Sequence, residues 1–188
     1  MPGSIVANVR GYVESECRKP SSKYGYEPFH DHFVPVHRYA KALAGKLGAD
    51  VEIVELAAWL HDIGSIIHGR EDHHLSGARI AGEKLKELGY PPDRIERVKH
   101  CIMSHRGSQK VERESPEARI IAEADAMSHF DDITGILQAA FVFEKKNRAE
   151  ARESTRKKLQ RSWEKLSPSA KEIVRPRYDA AMLLLSRE

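Results

Sequence analysis

The sequence predicts an all-α protein, a multi-helix bundle that forms one domain over residues 1–188. Apolar residues recur every three or four positions in each apolar segment, which is the spacing of helices that bury one face. Runs of alternating β-branched residues, which are typical of strands, are absent. A chain of 188 residues, of which 40% are hydrophobic and 31% charged, is long enough for one domain with a complete hydrophobic core.

Composition narrows the class of protein. There are only two cysteines, no apolar stretch near the ~20 residues of a membrane span, and no signal-peptide pattern at the N-terminus. We therefore expect a cytoplasmic protein with no membrane partner. A net charge of +3 does not indicate nucleic acid as a partner. The segment 145–165 holds nine basic and three acidic residues, which favours a solvated helix face over a nucleic-acid surface.

The first two predicted helices are separated by a loop. Residues 4–18 have the spacing of a short amphipathic helix, and residues 19–30 are rich in Pro, Ser and Gly. The second helix is expected over residues 31–47, with Gly48 as its stop. His32 lies on the apolar stripe of this helix, so we expect its imidazole to face the interior.

An apolar run over residues 51–64 predicts a helix that is buried on most sides. Asp50 occupies the N-cap position, and Gly64 the position of a C-terminal stop. The run ends in the adjacent pair His61-Asp62, and a buried ionised carboxylate without compensation costs several kcal/mol. A divalent cation binds both an imidazole nitrogen and a carboxylate oxygen, which favours a metal site. The alternative is that Asp62 orients its neighbour or caps the next segment.

Further histidines lie near the next two predicted helices. His73 and His74 lie at the start of a helix expected over residues 75–88, where the helix dipole and free N–H groups favour an anion such as phosphate. For His74 a surface histidine is an equal alternative. In the following helix His105 lies on the buried face, whereas His100 lies opposite.

The C-terminal half is also predicted to be helical. Ser115-Pro116 is a helix start signal, and Asp125 falls on the small apolar face of the helix that follows. With His61-Asp62 in need of partners, Asp125 becomes a candidate ligand. Residues 133–188 have the periodicity of three more helices.

These residues resemble the H…HD…D signature of the HD superfamily of metal-dependent phosphohydrolases, which is carried here by His32, His61-Asp62 and Asp125. The run from Glu55 to Gly64 is similar to the central motif of the family nearly residue for residue. The segments 73–78, 102–106 and 124–126 are similar to its later motifs. The resemblance covers about residues 29–140 and implies a bundle of the HD-domain type, with the helices of residues 141–188 packed on that core.

The resemblance also implies an activity, hydrolysis of a phosphate ester of a nucleotide or another small phosphorylated metabolite by metal-activated water. A divalent transition metal (Mn, Fe, Ni, Co or Zn, with Mg less favoured) would be held by His32, His61, Asp62 and Asp125. One ion is favoured and two are possible. The expected catalytic residues are Asp62, which would also orient the water, with His73 and His105. The candidates for binding the substrate phosphate are His73, His74, His105 and Arg106.

Two departures from the family pattern restrict the comparison. Pro35 stands where stand-alone members usually carry an Arg, and His105 is a single histidine with no Gly-Tyr-Pro after it. The second departure argues against the cyclic-dinucleotide phosphodiesterase branch. A metal- or nucleotide-binding regulatory protein with little turnover remains an alternative, because it needs the same ligands. An inert helix bundle would leave the acids Asp62 and Asp125 without a partner.

Overall fold

The computed structural model describes residues 4–106 and 112–186, and in these ranges the chain is helical and contains no β-strand. The predicted all-α class is therefore confirmed. The chain divides into two compact units, Met1–Ala124 and Asp125–Glu188, and each is described by itself. The prediction of one domain over residues 1–188 stays a prediction. In the part that the structure describes, no helix combines the length and the apolar character that a membrane crossing requires.

Seven helices begin in the described part of the first unit, with Ser4 and Asp50 as N-caps of the first and third. A single π-helical turn, Phe29–Phe33, leads into the second helix, which Gly48 ends with a φ of 65°. The helices are α1 (Ile5–Arg18), α2 (Val34–Leu47), α3 (Val51–Leu60), α4 (Ile63–His68), α5 (His73–Glu87), α6 (Pro92–Ser104) and α7 (Pro116–Ser128), the last of which crosses into the second unit.

Helix α3 lies at the centre of the first unit. Every residue from Leu56 to Leu60 is buried, because α1, α2, α5 and α6 all pack against this helix. The indole ring of Trp59 stacks on Phe29 with 5.7 Å between the ring centroids. A buried apolar side chain of this kind contributes about 2 kcal/mol relative to an exposed one, so the position of the C-terminus of α3 is firmly determined.

Helices α3 and α6 start and end side by side. At their N-termini Arg94 and Arg97 both pair with Asp50, at 3.0 and 3.1 Å. Glu117 at the start of α7 accepts the backbone N–H of Asp50 at 3.0 Å and pairs with Arg97 at 3.3 Å. Such a charge network is worth more than isolated surface pairs because several partners share each group. It fixes the register with which α3 and α6 present the residues at their other ends.

Gly64 does not end a helix, so that prediction is wrong. Helix α3 already stops at Leu60, and Gly64 is a buried residue inside α4. A Cβ atom at this position would lie 2.2 Å from the carbonyl oxygen of His73 and 2.7 Å from the backbone nitrogen of Gly77. Glycine is required here because the backbones of α4 and α5 cross in direct contact.

The start of α5 also differs from the prediction, and its buried face includes two histidines. The helix begins at His73, two residues earlier than expected, and Leu75 is 51% exposed. The imidazoles of His73 and His74 are buried instead. The close crossing with α4 decides which face is buried, and this overrides the apolar pattern of the helix itself.

Three helical segments begin in the described part of the second unit, as predicted. They are α8 (Ile133–Gln138), which continues into a π-helical turn (Ala139–Phe143), α9 (Arg148–Glu164) and α10 (Pro168–Leu185). A capping box in which Asn147 and Glu150 exchange hydrogen bonds starts α9. Helix α10 buries Val174 and Ala181, whereas Ile173 is 42% exposed.

Candidate metal centre

Four imidazoles in the first unit converge on the carboxylate of Asp62. Oδ2 of Asp62 lies 3.5 Å from Nε2 of His32 and 3.9 Å from Nε2 of His61. Oδ1 lies 3.2 Å from Nε2 of His73 and 3.4 Å from Nε2 of His105. The structure thus brings together, from four separate segments of the chain, five of the residues that the sequence analysis singled out.

Helix ends determine which ring nitrogen of two of these histidines faces the carboxylate. His61 and His105 are the C-cap residues of α3 and α6, where backbone carbonyls lack intrahelical partners. Nδ1 of His61 lies 2.8 Å from the carbonyl oxygen of Ala58, and Nδ1 of His105 lies 2.5 Å from that of Ile102. A carbonyl can only accept, so each Nδ1 carries a proton, and Nε2 is the ring nitrogen that faces Asp62.

The same arrangement holds at the start of α5, where Nδ1 of His73 lies 2.8 Å from the carbonyl oxygen of Arg70. In all three rings Nε2 is therefore the nitrogen that faces the carboxylate. Oδ1 of Asp62 is buried and makes no hydrogen bond of regular geometry within the described chain. A buried carboxylate is unfavourable unless positive charge lies beside it, and a metal ion or a protonated imidazole supplies that charge.

The separations between these atoms fit a metal ion. Nε2 of His32 and Nε2 of His61 are 2.9 Å apart, and two ligands bound at about 2.1 Å in adjacent positions of one ion lie about 3 Å apart. Two groups of three residues have their ligand atoms within 4.8 Å of one another, His32 with His61 and Asp62, and Asp62 with His73 and His105. Asp62 belongs to both groups, so the donor set suits one ion or two ions that share this carboxylate.

Charge at the site also favours a cation. Burial alone raises the pKa of Asp62, but the surrounding imidazoles, first of all His61, hold that pKa well below its ordinary value. The carboxylate is therefore ionised at neutral pH and ready to act as a ligand. The C-termini of α3 and α6 add the negative ends of two helix dipoles, which attract positive charge.

His74 and Arg106, the further candidates for binding phosphate, lie beside this centre. His74 is 5% exposed, which excludes the alternative of a surface histidine. Its Nδ1 atom is buried and has no hydrogen-bond partner in the described residues. Burial lowers the pKa of His74, and the neighbouring His73 and Arg106 lower it further. The guanidinium of Arg106 lies 4.0 Å from the carboxylate of Asp72 and is partly exposed, so it can still approach an anion.

Asp125 is the first residue of the second unit, and its role as a ligand stays a prediction. It is half-buried in α7, and its Oδ1 atom lies 3.7 Å from Nε2 of His129. The sequence analysis missed His129, although the spacing of four residues from Asp125 was a usable signal. It also missed the carbonyls of Ala58 and Ile102, because nothing in the side-chain pattern marks a backbone acceptor.

Comparison with known sequences places these residues in context. The HD domain family model matches residues 29–129. Ribonuclease Y of Symbiobacterium thermophilum is 35% identical over 99 residues, which are 52% of this chain and 17% of that protein. Ribonuclease Y of Rubrobacter xylanophilus is 37% identical over 112 residues, 58% of this chain and 20% of that protein. The chain thus spans about a fifth of the length of these relatives.

Solved structures share the fold. A protein of Lactobacillus plantarum superposes with a TM-score of 0.78 at 17% identity, over 98% of this chain and 95% of its own. Bacillus subtilis YpgQ, solved in complex with ADP, gives 0.70 at 22% identity over 95% and 92%. An HD-superfamily hydrolase of Bacillus thuringiensis gives 0.68 at 18% identity over 95% and 91%. At these identities the likeness is one of fold.

Proposed function

Because this chain belongs to the HD domain family, we propose that it is a metal-dependent phosphohydrolase that cleaves a phosphate ester of a nucleotide or another small phosphorylated metabolite. One observation carries the proposal. The Nε2 atoms of several imidazoles face the Asp62 carboxylate, while backbone carbonyls hold the Nδ1 atoms of His61, His73 and His105. Such a set is costly in a purely structural helix bundle and useful around a cation.

The proposed metal ligands are His32, His61, Asp62 and Asp125. Imidazole and carboxylate ligands together suit Mn, Fe, Ni, Co or Zn, and suit Mg less well. When bound, such an ion supplies a water of lowered pKa and polarises a phosphoryl oxygen. The Ala58 carbonyl fixes the orientation of the His61 imidazole before any ion binds, which reduces the reorganisation that binding requires.

The chain's own residues then position the reacting groups. The Asp62 carboxylate accepts a hydrogen bond from the attacking water and so orients it. His73 and His105 keep their Nδ1 protons on backbone carbonyls, so Nε2 is the atom at which each exchanges a proton or contacts a phosphoryl oxygen. When protonated there, either ring donates to the leaving oxygen. His74 and Arg106 bind phosphate charge near the N-terminus of α5, whose dipole also favours an anion.

The substrate class is drawn from relatives. YpgQ was solved in complex with ADP, and the curated relatives are named ribonuclease. Phosphate esters of ribonucleotides are therefore the first compounds to test, followed by sugar phosphates.

The test is a screen of nucleotides and sugar phosphates with each of Mn²⁺, Fe²⁺, Ni²⁺, Co²⁺, Zn²⁺ and Mg²⁺. Turnover that disappears in Asp62→Ala and persists in a His37→Ala control supports the proposal. His37 is a suitable control because it pairs with Glu55 at 3.0 Å and belongs to neither group of donors around Asp62. Nucleotide binding by calorimetry without turnover in any metal would instead support the regulatory alternative and refute the enzyme.

The number of ions is a separate measurement. We propose one ion, with His73 and His105 facing the substrate phosphate. Metal analysis should then give about one equivalent per chain, and His73→Ala should lose activity with its metal content unchanged. Loss of a second equivalent in His73→Ala would show that Asp62 bridges two ions, as the second group of donors permits.

A further inference from the structure

A Ser–His–Asp arrangement lies within the second unit and includes the proposed ligand Asp125. Nδ1 of His129 lies 2.8 Å from Oγ of Ser162 on α9, and Nε2 of His129 lies 3.7 Å from Oδ1 of Asp125. Ser162 is 2% exposed, so its hydroxyl is inaccessible as a nucleophile. The arrangement is therefore suited to orienting a side chain.

The residues that follow His129 are tied to α9 and α10. Phe130 packs edge-on against Trp163 and Tyr178, with ring centroids 6.5 and 5.8 Å away. Trp163 and Tyr178 in turn stack on each other at 4.2 Å. Asp131 pairs with Arg177 at 2.9 Å. Three consecutive residues after α7 are thus held by partners on α9 and α10, and the position of His129 is fixed by the second unit.

The chemistry of Asp125 determines the direction of this interaction. A carboxylate only accepts hydrogen bonds, so Nε2 of His129 must carry a proton for the contact to be favourable. In the neutral ring Nδ1 then accepts the hydroxyl proton of Ser162. The hydrogen bond to Ser162 therefore holds the His129 ring in the orientation that turns Nε2 toward Asp125, as the partners of metal-binding side chains do.

We propose that His129, oriented by Ser162, is a positioning residue that holds the Asp125 carboxylate in the rotamer required for metal binding. This inference rests on the proposed function, since it takes Asp125 as a metal ligand. Within the second unit, α9 and α10 fix the turn that carries His129.

The experiment measures metal affinity in the full chain by competition with a chelator, with Zn²⁺ and Co²⁺ as probes. His129→Leu keeps the volume of the side chain and removes the donor, and it should weaken binding about 10- to 100-fold. His129→Gln can still present an N–H to Asp125 and should recover most of that affinity. Ser162→Ala should fall between them. His37→Leu, a matched histidine that pairs with Glu55, should bind as the unchanged protein does.

Two further readouts separate positioning from a structural role. The visible spectrum of the Co²⁺ form should change in His129→Leu and return in His129→Gln, while the melting temperature of the metal-free proteins should change little. Equal loss of affinity in the Leu and Gln variants, or a loss that follows the melting temperature, would overturn the inference.

The variant Asp125→Asn separates a failure of this inference from a failure of the proposed function. If Asp125→Asn loses metal and His129→Leu binds normally, Asp125 is a ligand but His129 does not position it. If Asp125→Asn binds metal as tightly as the unchanged protein, the ligand assignment in the proposed function is wrong, and the inference fails with it.

Discussion

The substitution Gly64→Ala tests whether the crossing of α4 and α5 positions the metal centre. The added Cβ would lie 2.2 Å from the carbonyl oxygen of His73 and 2.7 Å from the backbone nitrogen of Gly77. Both atoms belong to the backbone of α5, so no side-chain rotation relieves the contact. An ordinary contact distance requires the start of α5 to move by about 1 Å.

Two effects of opposite sign determine the magnitude. Overpacking of this kind costs up to about 3 kcal/mol, whereas replacing glycine by alanine inside a helix returns up to about 1 kcal/mol. We therefore expect a net loss of about 2 kcal/mol in the free energy of unfolding, measured by urea denaturation. His73 is proposed to face the substrate phosphate, and a shift of about 1 Å in such a group can lower the rate about 100-fold, so phosphohydrolase activity should fall by up to about that factor.

Gly11→Ala and Gly45→Ala are the matched controls. Both glycines are exposed inside helices, and an added Cβ would meet no atom within 4 Å. Each should gain up to about 1 kcal/mol of stability with activity unchanged. If Gly64→Ala proved as stable and as active as these controls, the close crossing would not position His73, and the reasoning would be refuted.

Three other predictions follow from burial and charge. Burial raises the pKa of the Cys17 and Cys101 thiols to about 12, so iodoacetamide at neutral pH should label both only after unfolding; labelling of the folded protein would contradict this. Burial raises the pKa of Glu117, but the N–H of Asp50 and other partners outweigh it and hold the pKa below the ordinary value of 4.5. The ionised Glu117 therefore stabilises the fold above that value and loses its contribution as the pH falls through the lowered pKa. The substitution Glu117→Gln should lower the free energy of unfolding by about 1–3 kcal/mol at pH 7 and by less in acid. A loss of stability that does not depend on pH would refute this. Finally, metal binding to the folded state should raise the melting temperature with metal concentration, and Asp62→Ala should abolish that dependence.

Much of the fold could be predicted because it depends on short stretches of sequence. Helix periodicity, the N-cap Asp50 and the stop at Gly48 are local features, and Asp50 and Gly48 have the roles that the sequence predicted. The family motif likewise identified the imidazoles and the carboxylate of the candidate site without any knowledge of their distances. His32 was separated from His37 by helical spacing alone.

The sequence by itself therefore determined the all-α class, most of the helices and the set of candidate ligands. Only the tertiary structure decided how these side chains are oriented. Gly64 was interpreted as a helix stop because the neighbouring sequence does not show its close contact. That contact is with the backbone of His73 and Gly77, which lie about ten residues further along the chain. The proton positions on His61 and His105 follow from backbone carbonyls at the ends of α3 and α6, and those ends meet only because distant segments pack together. Local periodicity determines helices, whereas the atoms that face a ligand depend on how the helices cross.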